Sequence, residues 1–127
     1  MAKVTVLTNL GEEWCAKRLA GVASVDGISG RFIGWGTGTG TAAKGDSTLF
    51  TEAAGTRAGG TASVVGTGAA AKYQVEGTLV ALEDITITNA GNFTAQTSGV
   101  LIVHTSFDGI ALNEDDQITF TFTIDPS

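Results

Sequence analysis

The clearest periodicity in the chain lies near its end. Ile118, Phe120, Phe122 and Ile124 alternate with Gln117, Thr119, Thr121 and Thr123. Period two puts four large apolar side chains on one face and β-branched hydroxyls on the other. That pattern predicts a half-buried antiparallel strand, ended by Pro126. A second alternating run starts at Lys72, with Tyr73, Val75, Gly77 and Leu79 set against Gln74, Glu76 and Thr78. Leu82-Glu83-Asp84 interrupts it, and Ile85-Thr86-Ile87-Thr88 resumes it. Val100 to Ser106 opens as a run apolar enough to be buried on both faces. Lys3–Leu7, Arg31–Trp35 and Thr61–Val65 predict shorter strands. Asn89-Ala90-Gly91-Asn92 and Gln96-Thr97-Ser98-Gly99 carry turn chemistry, and residues 66–71 form a small-residue loop.

One segment follows the helical period instead. Leu10 with Trp14, and Cys15 with Leu19, are spaced i,i+4 and predict one apolar stripe. Asn9 and Glu12 have the spacing of a capping box, Glu12 and Glu13 suit the positive end of the helix dipole, and Gly21 is a stop. A short helix over about 10–20 is therefore expected. The whole reads as one domain, residues 1–127, with a short strand and helix over about 3–20 and a β-rich part over about 31–125. Its fold class is mainly β: an antiparallel β-sandwich or jelly-roll-like fold with one short N-terminal helix.

Composition narrows the functional classes. A chain of 127 residues with a 43% hydrophobic fraction is long enough for one core and too apolar for intrinsic disorder. One Cys and one His cannot supply a disulfide framework or the usual shell of a structural zinc site. No stretch approaches the roughly 20 apolar residues of a membrane-spanning helix, and the N-terminus has no signal-peptide core, so a soluble protein is expected. The net charge of −6 is uneven. Residues 1–60 hold six basic and five acidic side chains, whereas residues 61–127 hold one basic, Lys72, and eight acidic. No Lys/Arg cluster is available to displace counterions from phosphates, so nucleic acid is not an expected partner.

Candidate chemistry fails at specific residues. The segment Gly34-Trp35-Gly36-Thr37-Gly38-Thr39-Gly40-Thr41 resembles a phosphate loop only in composition. The dinucleotide fingerprint needs Gly at the fifth offset, where Thr39 or Thr41 stands, and the Walker Gly-Lys-Ser/Thr is missing. His104 has no nucleophile elbow to serve and reads as a satisfied or exposed strand histidine. Cys15, beside Trp14, reads as a small core residue rather than a reactive thiol. Asn113-Glu114-Asp115-Asp116 is oxygen-rich but lacks the EF-hand spacing, and reads as a polar turn before the last strand. The expectation is a non-enzyme with no catalytic residues, cofactor or metal. Trp14, Phe32 and Trp35 are the candidate anchors of a core or of an interface, two roles with one sequence pattern.

A longer arrangement is more specific. Leu7-Thr8-Asn9-Leu10-Gly11 opens the helix, Phe32-Ile33-Gly34-Trp35-Gly36-Thr37-Gly38-Thr39 follows, and then come Asp46, Leu49, Glu52 and Arg57. Ile85 to Phe93 and Phe107 to Asp116 continue the series. This order resembles the small structural proteins of tailed bacteriophages. They have a Thr-Asn-x-Gly helix start, a GTGT strand end, a D-x-x-L-x-x-E stretch ahead of an Arg, an ITEAGLF segment, and an F-x-x-I-x-L-x-x-G-D lead into the closing strand. Asn89 replaces the Glu of that pattern, and Asp115 replaces its Gly.

The resemblance implies a virion component assembled in the bacterial cytoplasm, foremost a trimeric capsid decoration or cement protein that stabilises the head. Its partners would be the major capsid protein or tail proteins and further copies of itself, with no membrane partner. The alternative is a tail, fibre or baseplate component. A more distant one is a carbohydrate-binding adhesion module using Trp35.

Overall fold

The computed structural model describes residues 3–20, 31–53, 57–96 and 99–124. Two antiparallel sheets face one another as a sandwich. The larger contains β1 (Val4–Leu7), β2 (Phe32–Gly36), β3 (Ala58–Gly59), β6 (Ile85–Phe93) and β7 (Leu101–Leu112), in the order β1-β7-β6-β2-β3. The smaller contains β4 (Thr61–Val65), β5 (Lys72–Val80) and β8 (Gln117–Ile124), in the order β4-β5-β8. Helix α1 (Asn9–Leu19) lies against β7. β3 runs into β4 through Gly60 alone, so one continuous strand joins the two sheets along one side. From that side, β5 packs over β2 and β3.

The alternation read from the sequence organises the core. β8 pairs with β5 without a register break from Gln117↔Val80 to Ile124↔Tyr73. This places Phe122 with Val75 and Leu79 against Ile33, Trp35, Ile87 and Ile102 of the larger sheet. Burying such side chains contributes about 1.5–3 kcal/mol each. On the outer face Thr78 and Thr119 share a hydroxyl hydrogen bond of 2.8 Å, a cross-strand pair that the Thr row makes possible.

Several expectations need correction. Asn89-Ala90-Gly91-Asn92 is the interior of β6 and is fully buried, not a turn. Its polar atoms are satisfied: Asn92 Oδ1 accepts from the Val103 amide at 3.1 Å, and Asn89 is held as described below. Gly91 fits because a side chain there would meet the Val103 carbonyl. β7 continues past Ser106 to Leu112. Part of the small-residue loop is a 3₁₀ turn, Gly68–Ala70.

The helix starts one residue earlier than predicted, and Thr8 rather than Asn9 caps it. Its Oγ1 accepts the Gly11 amide at 2.9 Å and donates to the Leu101 carbonyl at 2.5 Å. Nor is Leu10/Leu19 part of a docking stripe, since both are exposed, Leu19 by 91%. The helix docks through Gly11, where a Cβ would stand 2.5 Å from the Ile102 carbonyl oxygen. The predicted stop at Gly21 and the strand end at Pro126 lie outside the described residues.

Candidate functional site

The Gly-Thr segment leaves β2 and folds back on itself. Thr37 and Gly38 donate to the carbonyls of Thr51 and Phe50 at 3.0 and 2.8 Å, and Ala53 donates to the Trp35 carbonyl at 3.0 Å. The limbs meet so closely that a Cβ at Gly36 would collide with the Phe50 carbonyl, which explains the glycine without any phosphate. The resulting strap, residues 37–53, covers the face of β2, β6 and β7 that points away from the smaller sheet. A register shift between Ile87 and Asn89 re-aims β6 there: Ile87 packs in the sandwich and Asn89 turns to the strap.

The strap is held by side chains from both sides. Asn89 Oδ1 accepts the Phe50 amide at 2.9 Å, and its Nδ2 donates to the Phe50 carbonyl at 3.1 Å, so the side chain reads the strap backbone as a neighbouring strand would. His104, fully buried, sits between Asp46 Oδ2 on Nδ1 (2.7 Å) and Asn89 Oδ1 on Nε2 (3.0 Å). The Phe50 pairing fixes the Asn89 amide, so both ring nitrogens face oxygen acceptors. The Phe50 ring meets the imidazole edge-on at 4.7 Å.

Further out, Ser106 Oγ accepts the Ala42 amide at 2.9 Å, and Asp46 Oδ2 also accepts that of Ala43 at 2.8 Å. Leu49 is buried with Phe93 and Leu101. Lys44 ties the strap to the helix: its carbonyl accepts the Asn9 amide at 2.7 Å, and its Nζ reaches Glu12 at 2.6 Å. At the far end Arg57 forms a two-pronged pair with Glu52 (2.6 and 3.0 Å), donates to the Ala95 carbonyl at 3.0 Å and stacks 3.4 Å above the Phe93 ring.

This arrangement positions backbone rather than a substrate. His104 engages both nitrogens and is sealed from solvent, so it presents no base to a ligand. The acidic residues 113–116 form the tight β7–β8 turn, with the Asn113 amide on Asp116 Oδ2 at 2.8 Å and the Glu114 amide on Asp84 Oδ1 at 3.0 Å. Among the described residues no group of three or more His, Cys, Asp or Glu side chains is placed to hold a metal ion. No helix among them is long and apolar enough to cross a membrane. Cys15 is half-buried, and burial, with a smaller contribution from Glu12, pushes its thiol pKa up.

The three candidate anchors do not converge. Trp35 is fully buried inside the sandwich, edge-on to Phe120 at 6.4 Å, and so is a core residue. Phe32 is half-buried beside Leu49, Phe93 and Leu101, under the Arg31 guanidinium at 4.6 Å. Trp14 is half-buried between the helix and the core. Sequence reasoning missed the Asn89–His104 clamp because its partners lie 39 and 58 residues away in the chain. The usable signal was the polarity of Asn89, Asn92 and His104 within otherwise β-prone runs.

No protein-family model, curated protein or solved structure matches this chain.

Proposed function

We propose that the chain is a non-enzymatic structural protein of a tailed bacteriophage virion, which decorates the capsid and cements it. One observation supports this reading: four residues of the phage-like motifs help to hold the strap or cap the helix. Asp46 binds His104, Leu49 is buried, Glu52 pairs with Arg57, and Thr8 caps the helix. The position of the pattern's Gly is Asp115, whose φ of +76° is one that glycine accepts most readily. These members of the motifs make physical sense as a scaffold specification. The contact of Asp46 with His104 favours a protein whose task is to present a rigid surface.

In this reading the face built from α1 and the strap, drawn from the nearly neutral first half of the chain, meets the shell, and the acidic second half faces solvent. The test is addition of purified protein to preformed expanded capsids. Saturable binding with a raised particle melting temperature is the expected result. Particles equally stable and complete without it would refute the cement role.

A tail, fibre or baseplate position is the second reading, favoured by the fibre-like Thr8-Asn9-Leu10-Gly11 opening. Negative-stain images of virions labelled at the C-terminus distinguish head from tail. The adhesion-module alternative loses its anchor, because the buried Trp35 ring offers no face to a sugar.

A further inference from the structure

The two sheets are unequal, and the inequality is confined to one side. Counted from the side joined by β3–Gly60–β4, the smaller sheet provides three strands and the larger five. β1 and the second half of β7, from Phe107 onward, therefore project beyond the cover of β8, like one half of a stepped joint, while Val103 and Thr105 are already buried. The step is a groove of about 510 Å³ with Phe107 and Ile110 of β7 and Phe120 and Phe122 of β8 at its apolar centre, and Thr5 of β1 and the adjacent Lys3 among its polar lining. Phe107 and Ile110 remain partly open, Ile110 by 41%.

Two strand edges flank this groove. Among the described residues, β8 and β1 each pair on one side only. β8 is eight residues long, in unbroken register, with no Pro and no charged residue: none of the devices that normally guard an edge.

We infer that this step is the docking surface for a second copy of the chain, joined by a two-fold axis running along the strands in the mid-plane of the sandwich. The step is self-complementary under that rotation. The projecting β1 and second half of β7 of each copy cover those of the other, so each supplies the missing roof there. The same movement brings β8 beside β1 of the second copy and β1 beside its β8, pairing both open edges at once. Each layer becomes one eight-stranded sheet.

Strand direction agrees. Successive antiparallel pairings make β1 and β3 run the same way, β3 continues into β4, and β8 runs with β4, so each new edge pair is parallel. A two-fold axis perpendicular to the sheets would also pair β8 with β8, but it would drive the two larger sheets into the same space. The lap joint closes on itself, as an isologous interface must. It concerns the isolated chain and does not depend on the virion reading.

Sedimentation equilibrium of the full chain and its variants tests this. The wild type is expected to be a dimer. Ile110→Glu, which puts a carboxylate among Phe107, Phe120 and Phe122 at the apolar centre of the seam, is expected to weaken it by more than about tenfold, with circular dichroism unchanged. Val64→Glu, at an exposed apolar position on the opposite side, is the control and leaves the dimer intact.

Amide exchange gives a readout free of mutation: outward-facing amides of β8 and β1 slow as protein concentration rises. A monomer at every concentration, or a dimer indifferent to Ile110→Glu with those amides still fast, overturns the joint. A trimer held by another face also overturns it and leaves the virion reading standing.

Discussion

The two faces of the larger sheet are both buried, and by opposite means. Toward the smaller sheet it presents Ile33, Trp35, Ile87 and Val103, an apolar surface that any well-shaped apolar partner would cover. Toward the strap it presents Asn89, His104 and Ser106, whose hydrogen bonds are made almost entirely to strap backbone and Asp46. The first face supplies most of the driving force, which scales with area and is indifferent to register. The second supplies little net energy, but it accepts only one placement of the strap, because a displaced strap leaves buried polar groups unpaired. One sheet thus separates the task of folding from the task of fixing a loop.

The sharpest way to break that contrast is at its apolar side. Trp35→Ala empties the centre of the sandwich and should cost about 3–5 kcal/mol, read as a lower urea midpoint for the whole molecule. On the polar side, Asn89→Ala leaves the Phe50 amide and carbonyl and the His104 ring without their partner. A loss of about 1–3 kcal/mol is expected. Its distinguishing readout is local: strap amides at 42–50 should exchange faster while those of β5 and β8 stay protected. Equal loosening of both regions would show that the faces are not separable.

Thr8→Ala, which removes the cap and its tie to Leu101, should cost about 1 kcal/mol and shorten the helix at its first turn. The smallest effect is chemical. Burial raises the Cys15 pKa, so less thiolate is present at pH 8 than in an unstructured peptide, and alkylation should be slower and should accelerate as pH rises further. Alkylation as fast as in the peptide would mean that the helix does not stay docked.

What could be read from the sequence follows the same division. β5 and β8 were legible because burial on one face writes a period of two into the residues themselves. The first half of β6 was legible too, but its second half was not, since Asn89 to Asn92 have turn chemistry locally and are strand residues only because distant groups satisfy them. The helix was placed within a residue, yet its contact was in part misassigned. Apolar spacing pointed to Leu10, Trp14, Cys15 and Leu19; Trp14 packs against the core and Cys15 is half-buried, but both leucines are exposed and a glycine makes the close approach to β7. Asp46, Leu49 and Glu52 carried no local signal beyond their order, and their role emerged only once the strap was seen to fold back over the sheet.

The pairing of β1 with β7 sets a schedule for the chain as it is made. Thr5 and Thr105 share a hydroxyl hydrogen bond across 100 residues, and Thr8 and Gly11 rest on Leu101 and Ile102. β1 and α1 therefore leave the ribosome long before the strand on which they dock. Until β7 emerges, β1 and α1 have no surface to dock on, and β5 lacks β8 for longer still. Contacts of such long sequence separation fold slowly and leave strand edges open meanwhile. A chain ended before Leu101 can pair β4 with β5 and β2 with β6, while β1 and α1 wait undocked.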